Sequence, residues 1–182
     1  MQPPMKTNYS DDFQTPPEAL YPLLPYLKKE WAIWECACGK GNLSDFLKEQ
    51  GYNVIATDIM TGHDFLKWKP EKFDCIVTNP PYSLKQQFLE RCYKLGKPFA
   101  LLLPLTTFET AKRQRLFKKY GVQVIFFDKR INFETPSGKG SGAWFAVAWF
   151  TWGLGLPNDL NFVELMHPAQ AVLDFEKRDK TL

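Results

Sequence analysis

The sequence predicts one α/β domain built on an open, mostly parallel sheet whose last strand runs antiparallel. Three stretches carry that expectation. Apolar Trp31-Ala32-Ile33-Trp34-Glu35 leads through the glycine turn Cys36-Ala37-Cys38-Gly39-Lys40-Gly41-Asn42 into a helical segment and a second apolar run ending on Asp58. That strand–turn–helix–strand unit with a terminal acid is the plan of a nucleoside-binding half-domain. Phe73-Asp74-Cys75-Ile76-Val77-Thr78 reads as a buried strand that breaks off at Asn79-Pro80-Pro81-Tyr82, where the prolines impose a stiff, extended loop. Two late strands, Val122–Asp128 and Ala143–Trp152, are joined by a glycine-rich loop with no helix between them, so they pair as a hairpin.

Composition narrows the class. A chain of 182 residues fits one domain with a sizeable core, and 45% hydrophobic with 24% charged residues is a globular balance. The net charge of +3 permits a polyanionic partner without requiring one. No apolar run reaches membrane-spanning length, and the start lacks the basic-then-apolar pattern of a signal peptide, so no membrane is expected. Cys36, Cys38, Cys75 and Cys92 lie in strand-like or helix-like contexts, which favours reduced thiols and a cytoplasmic setting. Cys36-Ala37-Cys38 is neither a CxxC redox motif nor one arm of a zinc site, and no metal is expected.

The remaining elements follow in order. Thr15 can cap a helix opened by Pro16, Pro17 and Glu18, and Leu20, Leu23, Leu24 and Leu27 continue it, with Pro22 and Pro25 shortening or kinking it. Leu43–Gln50 is a helix ended by Gly51, and Asn53–Asp58 is the second strand. Ser83 is placed to cap Leu84–Leu95, whose Leu84, Phe88, Cys92 and Leu95 share a face. Pro98–Pro104 is apolar throughout, as the centre of a parallel sheet is. Thr106, Thr107 or both cap a helix through Tyr120, where Lys112, Arg113, Arg115, Lys118 and Lys119 form either a phosphate-contacting surface or a solvated face. Phe162, Val163, Leu165, Val172, Leu173 and Phe175 are expected to cover the core, with residues 1–8 and 177–182 flexible.

The glycine turn also bears on the ligand. A dinucleotide site wants a third glycine for its pyrophosphate, but Ser44 stands there, and Glu35 at the strand end would repel phosphate. S-adenosylmethionine has no phosphate and carries an ammonium and a sulfonium, so a nearby carboxylate favours it. Asp58 can accept both ribose hydroxyls. Read singly, Gly39 and Gly41 make a tight turn and Asp58 caps the next segment.

Asn79-Pro80-Pro81-Tyr82 resembles the catalytic motif of S-adenosylmethionine-dependent amino-methyltransferases, above all the N6-adenine DNA methyltransferases. The resemblance runs from about Asp12 to Trp152 in the gamma-type motif order. It implies a Rossmann-like class I methyltransferase fold, seven-stranded with an antiparallel last strand, in an order resembling 3-2-1-4-5-7-6. It implies that the Asn79 side-chain oxygen and the Pro80 carbonyl accept hydrogen bonds from the target amine while Tyr82 stacks on the base, with Pro81 completing the catalytic loop. Phe13-Gln14-Thr15-Pro16-Pro17-Glu18 resembles the motif that lies against the cofactor's methionine end. Asp64-Phe65-Leu66 resembles the motif whose acid bonds the cofactor's adenine. The implied cofactor set is Phe13, Thr15, Glu35, Cys36, Ala37, Gly39, Gly41, Asp58, Ile59, Asp64, Phe65 and Asn79. Tyr82, Arg130, Phe133, Lys139 and Trp144 are the substrate-side candidates, Phe133 or Trp144 facing Tyr82 across a flipped base. The implied partner is nucleic acid, DNA first, in a small form without a separate recognition domain. RNA adenine, protein glutamine, or an inactive nucleic-acid-binding role are the alternatives.

Overall fold

The computed structural model describes residues 14–135, 138–139 and 145–165; expectations for Phe13, Trp144, Val172, Leu173, Phe175 and the two chain ends lie outside the described residues. The strands are β1 (Ala32–Glu35), β2 (Asn53–Ala56), β3 (Cys75–Thr78), β4 (Phe99–Pro104), β5 (Gln123–Phe127), β6 (Glu134–Thr135), β7 (Gly138–Lys139), β8 (Val147–Trp152) and β9 (Leu160–Val163). β6 and β7 pair with each other, and the other seven form one sheet in the order β2-β1-β3-β4-β8-β5-β9. The α-helices are α1 (Asn42–Glu49), α2 (Lys85–Leu95) and α3 (Ala111–Tyr120).

The burial pattern explains the order. β3 and β4 are buried at every residue, as strands covered on both faces must be, and they pair in parallel at the centre. β8 is antiparallel to both β4 and β5, as the hairpin predicts. The mostly parallel α/β class is therefore found. The seventh strand differs: among the described residues none lies beyond β2, and β9 instead adds parallel to β5 at the opposite edge. Between β2 and β3 the chain spends its apolar residues on packing, with Phe65 and Trp68 against Trp34, and forms a 3-10 turn at Ile59–Thr61. Phe162 does not cover the core: it sits on edge strand β9, 78% exposed, with its ring stacked 5.2 Å from Phe126.

Several helix starts also differ. The proline-punctuated opening makes two 3-10 pieces, Pro17–Ala19 and Tyr21–Tyr26, with Pro16 rather than Thr15 at the first cap position. Ser83 falls inside the 3-10 turn Tyr82–Leu84, so Leu84 precedes α2. Thr110, not Thr106 or Thr107, caps α3 by accepting from the Arg113 N–H at 3.4 Å. The reason is Arg113. Its buried guanidinium donates to the carbonyls of Thr106 and Thr107, holding Leu105–Glu109 as a 3-10 turn and delaying the α-helix.

Trp149, in the middle of β8, donates its indole N–H to the Ala19 carbonyl at 2.7 Å inside the core. That bond ties the start of the described chain, including Gln14 and Thr15, to the sheet. Trp149→Phe should lower stability by about 1–3 kcal/mol for the orphaned carbonyl, with a smaller addition for the lost ring volume. Urea unfolding with an unchanged m-value checks this.

Candidate active site

The order β2-β1-β3 makes β1 the switch point of the sheet, since the chain leaves β1 to one side and returns as β3 on the other. Ligands of open α/β sheets bind outside the carboxyl ends of strands at such a point. A cavity of about 560 Å³ lies there. It is lined from the glycine turn by Glu35 to Lys40, from the end of β2 by Asp58 to Thr61, from the next segment by Asp64 and Phe65, and from the loop after β3 by Asn79 and Pro81. Gln14 and Thr15, Leu43 of α1, and Leu84 and Phe88 near α2 complete it.

Backbone hydrogen bonds stitch the glycine turn to β2. The Cys38 N–H donates to the Thr57 carbonyl at 3.0 Å, and the Thr57 N–H to the Glu35 carbonyl at 2.9 Å. Gly41 has φ +95°, a left-handed conformation, and a Cβ there would meet the Asp45 carboxylate at 3.1 Å. Ser44, at the position of a third glycine, is buried and donates its hydroxyl to the Gly41 carbonyl at 2.9 Å, closing the turn.

Asp58 reaches back across the cavity floor. Its carboxylate accepts the Gly39 N–H at 3.0 Å on one oxygen and the Met60 N–H at 2.8 Å on the other, with acceptor capacity left over. Ile59 beside it is 65% exposed at the rim. Asp64 accepts the Leu66 N–H at 2.9 Å. Phe65 is buried and stacks on Phe88 with centroids 4.5 Å apart, forming an apolar wall.

Glu35 is the unusual group. It is 1% exposed and lies in no ion pair among the described residues. Its Oε1 accepts the Ala37 N–H at 3.1 Å and the Thr78 hydroxyl. Burial pushes its carboxyl up to about 8, opposed by the Thr78 and Ala37 hydrogen bonds and reinforced by the Asp58 charge. The Cys36 thiol beside it is also raised, chiefly by burial.

The predicted residues therefore divide into two groups. Thr15, Glu35, Cys36, Ala37, Gly39, Asp58, Ile59, Asp64, Phe65, Asn79 and Pro81 all border one cavity, with Gly41 shaping its turn. Pro80, between Asn79 and Pro81, is buried and is not one of the lining residues. On the substrate side, Tyr82 is buried with its ring edge-on to Phe145 at 5.6 Å. Phe133 is also buried, Arg130 is exposed, and the Lys139 backbone lies in the β6–β7 ribbon. Sequence reasoning missed Thr78, Phe145 and the wall formed by Phe88. Phe88 had been visible only as part of a helix face.

The donor set suits a particular chemistry. Among the described residues, three carboxyl groups, one lysine and no arginine line the cavity. That set is poor for a pyrophosphate and good for a ligand carrying an ammonium, hydroxyls and an exocyclic amine. S-adenosylmethionine fits this description.

Glu35 has a consequence for stability. An ordinary glutamate ionises near 4.5, whereas folded Glu35 keeps its proton up to about 8. Within that window the native state binds the extra proton, so rising pH removes stability. Relative to Glu35→Gln, the wild type should lose stability from about pH 5 to pH 8, measured by urea unfolding at each pH. Parallel curves for the two proteins would contradict the burial of an uncompensated acid.

Neither a family model nor a curated sequence matches the chain. Solved structures do. A protein of Listeria monocytogenes assigned as a class I S-adenosylmethionine-dependent methyltransferase matches with TM-score 0.54 and 14% identity, over 95% of this chain and 73% of that one. A protein of Pyrococcus horikoshii assigned as an RNA methyltransferase matches with TM-score 0.54 and 12% identity, over 80% and 88%. A modification subunit assigned to a type I restriction enzyme of Vibrio vulnificus matches with TM-score 0.53 and 12% identity, over 86% of this chain. The chain spans about half, 48%, of that subunit's length. Identities this low speak to architecture: the chain has the Rossmann-like fold of the class I methyltransferases.

Proposed function

We propose that this protein transfers a methyl group from S-adenosylmethionine to the exocyclic N6 amine of adenine in DNA. One observation carries the reading. Asn79, first residue of the proline loop, borders the same cavity as the glycine turn, Asp58 and Asp64, so a methyl donor and an amine acceptor can meet there. The fold likeness supports a methyltransferase, and one neighbour is assigned as a restriction-enzyme modification subunit.

The roles follow from the chemistry of each group. Bound in the cavity, S-adenosylmethionine supplies an electrophilic methyl group. Thr15, Glu35, Cys36, Ala37 and Gly39 border its methionine end, with Phe13 assigned there by resemblance. Asp58 accepts from the ribose, Ile59 and Phe65 flank the base, and Asp64 accepts from the adenine amine. Asn79 and Pro80 offer two acceptors to the target N–H groups, which draws the nitrogen lone pair out of ring conjugation and aims it. No general base is required at that attack. Pro81 stiffens the loop, and Tyr82 takes the face of the base. Arg130, Phe133, Lys139 and Trp144 belong to the nucleic-acid side. On α3, Arg115, Lys118 and Lys119 are exposed, whereas Arg113 is buried and Lys112 pairs with Glu90 at 2.8 Å.

The test is incubation with labelled S-adenosylmethionine and, separately, duplex DNA, single-stranded DNA, RNA and protein, followed by digestion to nucleosides or peptides. N6-methyladenine from DNA is the expected product. Label in RNA moves the substrate to RNA adenine, and label in protein to glutamine.

Asn79→Ala should lower the single-turnover rate at least a hundredfold, since a preorganised polar contact at a transition state is typically worth roughly 10²–10³ in rate. Cofactor affinity should stay nearly unchanged. An Asn79→Ala rate equal to wild type would remove the loop from catalysis. Binding to nucleic acid should also weaken steeply with added salt, because phosphate contacts release counterions. A flat salt dependence would favour a protein or small-molecule substrate.

A further inference from the structure

Thr78 is the last residue of β3, fully buried, and pairs in register with Leu101 of β4. Its backbone therefore cannot shift without disturbing the central strand pair, and the next residue is Asn79. Its hydroxyl donates to the Glu35 carboxyl, 43 positions earlier in the chain. The same Glu35 oxygen also accepts from Ala37 in the glycine turn. One buried carboxyl oxygen thus joins the turn that shapes the cofactor cavity to the residue that launches the catalytic loop. Glu35 Oε2 takes no donor among the described residues, and Glu35 lines the cavity.

We propose that Thr78 is a positioning residue that holds the Glu35 carboxylate for the cationic end of the cofactor and couples cofactor occupancy to the placement of Asn79. The inference rests on S-adenosylmethionine occupying the cavity, as argued above. Glu35 is held mostly as the acid near neutral pH when nothing cationic faces it. An ammonium beside it favours the ionised form, so binding below about pH 8 releases a proton. Thr78 and Ala37 are the protein donors that support that ionised form, and Asp58 opposes it. Asp64, Cys38 and Lys40 also face the cavity, and the Cys36 thiol borders the Thr78 hydroxyl.

The experiment is titration calorimetry of S-adenosylmethionine into wild type, Thr78→Val, Thr78→Ser and Glu35→Gln, at pH 6 to 9 and in two buffers of different ionisation enthalpy. Wild type should release a proton on binding near pH 7, and Glu35→Gln should not. Thr78→Val keeps the β-branched shape but removes a hydrogen bond to a charged group, so affinity at pH 7 should fall roughly ten- to hundredfold. The gap should narrow as pH rises towards 9, because Glu35 ionises first in wild type and only at higher pH in the variant that lacks the Thr78 hydrogen bond. Thr78→Ser should restore affinity and proton release. In the Glu35→Gln background Thr78→Val should cost little more, since the two residues act as one unit. A folded Thr78→Val that matches wild type across the whole pH range overturns the coupling and leaves the cofactor assignment standing. Should Thr78→Val fail to fold, Thr78→Ser that stays as weak as Glu35→Gln overturns it equally. Absence of binding by wild type itself overturns the cofactor assignment, and the coupling with it.

Discussion

The Glu35 carboxyl sits fully inside the protein at the carboxyl end of β1, with no cation beside it among the described residues. A buried acid without a counter-charge costs free energy unless hydrogen bonds or protonation relieve it. Here both do, through Thr78, Ala37 and a carboxyl pushed up to about 8. The two hydrogen bonds join the glycine turn to the end of β3, across the parallel β1–β3 ladder. Everything else at the site is arranged around that junction. A strongly perturbed carboxyl in a cavity marks a candidate functional site.

An aromatic frame keeps the junction rigid. Trp34, one residue before Glu35, is fully buried and packs against Phe65, Trp68 and Phe73 with centroids 5.0–6.0 Å apart. Its indole N–H donates to the Thr57 hydroxyl at 2.9 Å, just before Asp58. The interior of β1 is thereby bonded to the end of β2. Phe65 then passes the contact on to Phe88 of α2, the helix that follows the proline loop. The aromatic-rich composition is spent here, on large rings with few rotatable bonds that cost little conformational entropy when packed. No helix among the described residues is long and apolar enough to cross a membrane.

The opposite side of the proline loop is built differently. Tyr82 packs edge-on against Phe145, so two aromatic rings stand together at the end of that loop. The basic helix is also less basic in effect than in composition. Arg113 spends its charge on the Thr106 and Thr107 carbonyls, and Lys112 on Glu90. The exposed positive charge that remains on α3 is Arg115, Lys118 and Lys119, a modest field in keeping with a net charge of +3.

The sequence by itself determined the features that are local in the chain. The glycine turn was legible because only glycine accepts its left-handed backbone, the proline loop because proline forbids helix and strand, and the hairpin because no helix separates its strands. The central position of Phe99–Pro104 followed from its unbroken apolar run. Only the tertiary structure decided what depends on partners distant in the chain. Thr78 reads as an ordinary strand residue until Glu35 arrives beside it, and Arg113 as a surface charge until it folds back on the turn before it. The edge strands were likewise undetermined: whether a short apolar segment pairs beyond β2 or beyond β5 depends on which neighbour leaves backbone groups to satisfy. Side-chain period and turn chemistry are written into a few consecutive residues. The burial of a charge, and the donor that compensates it, exist only once the sheet has brought remote strand ends together.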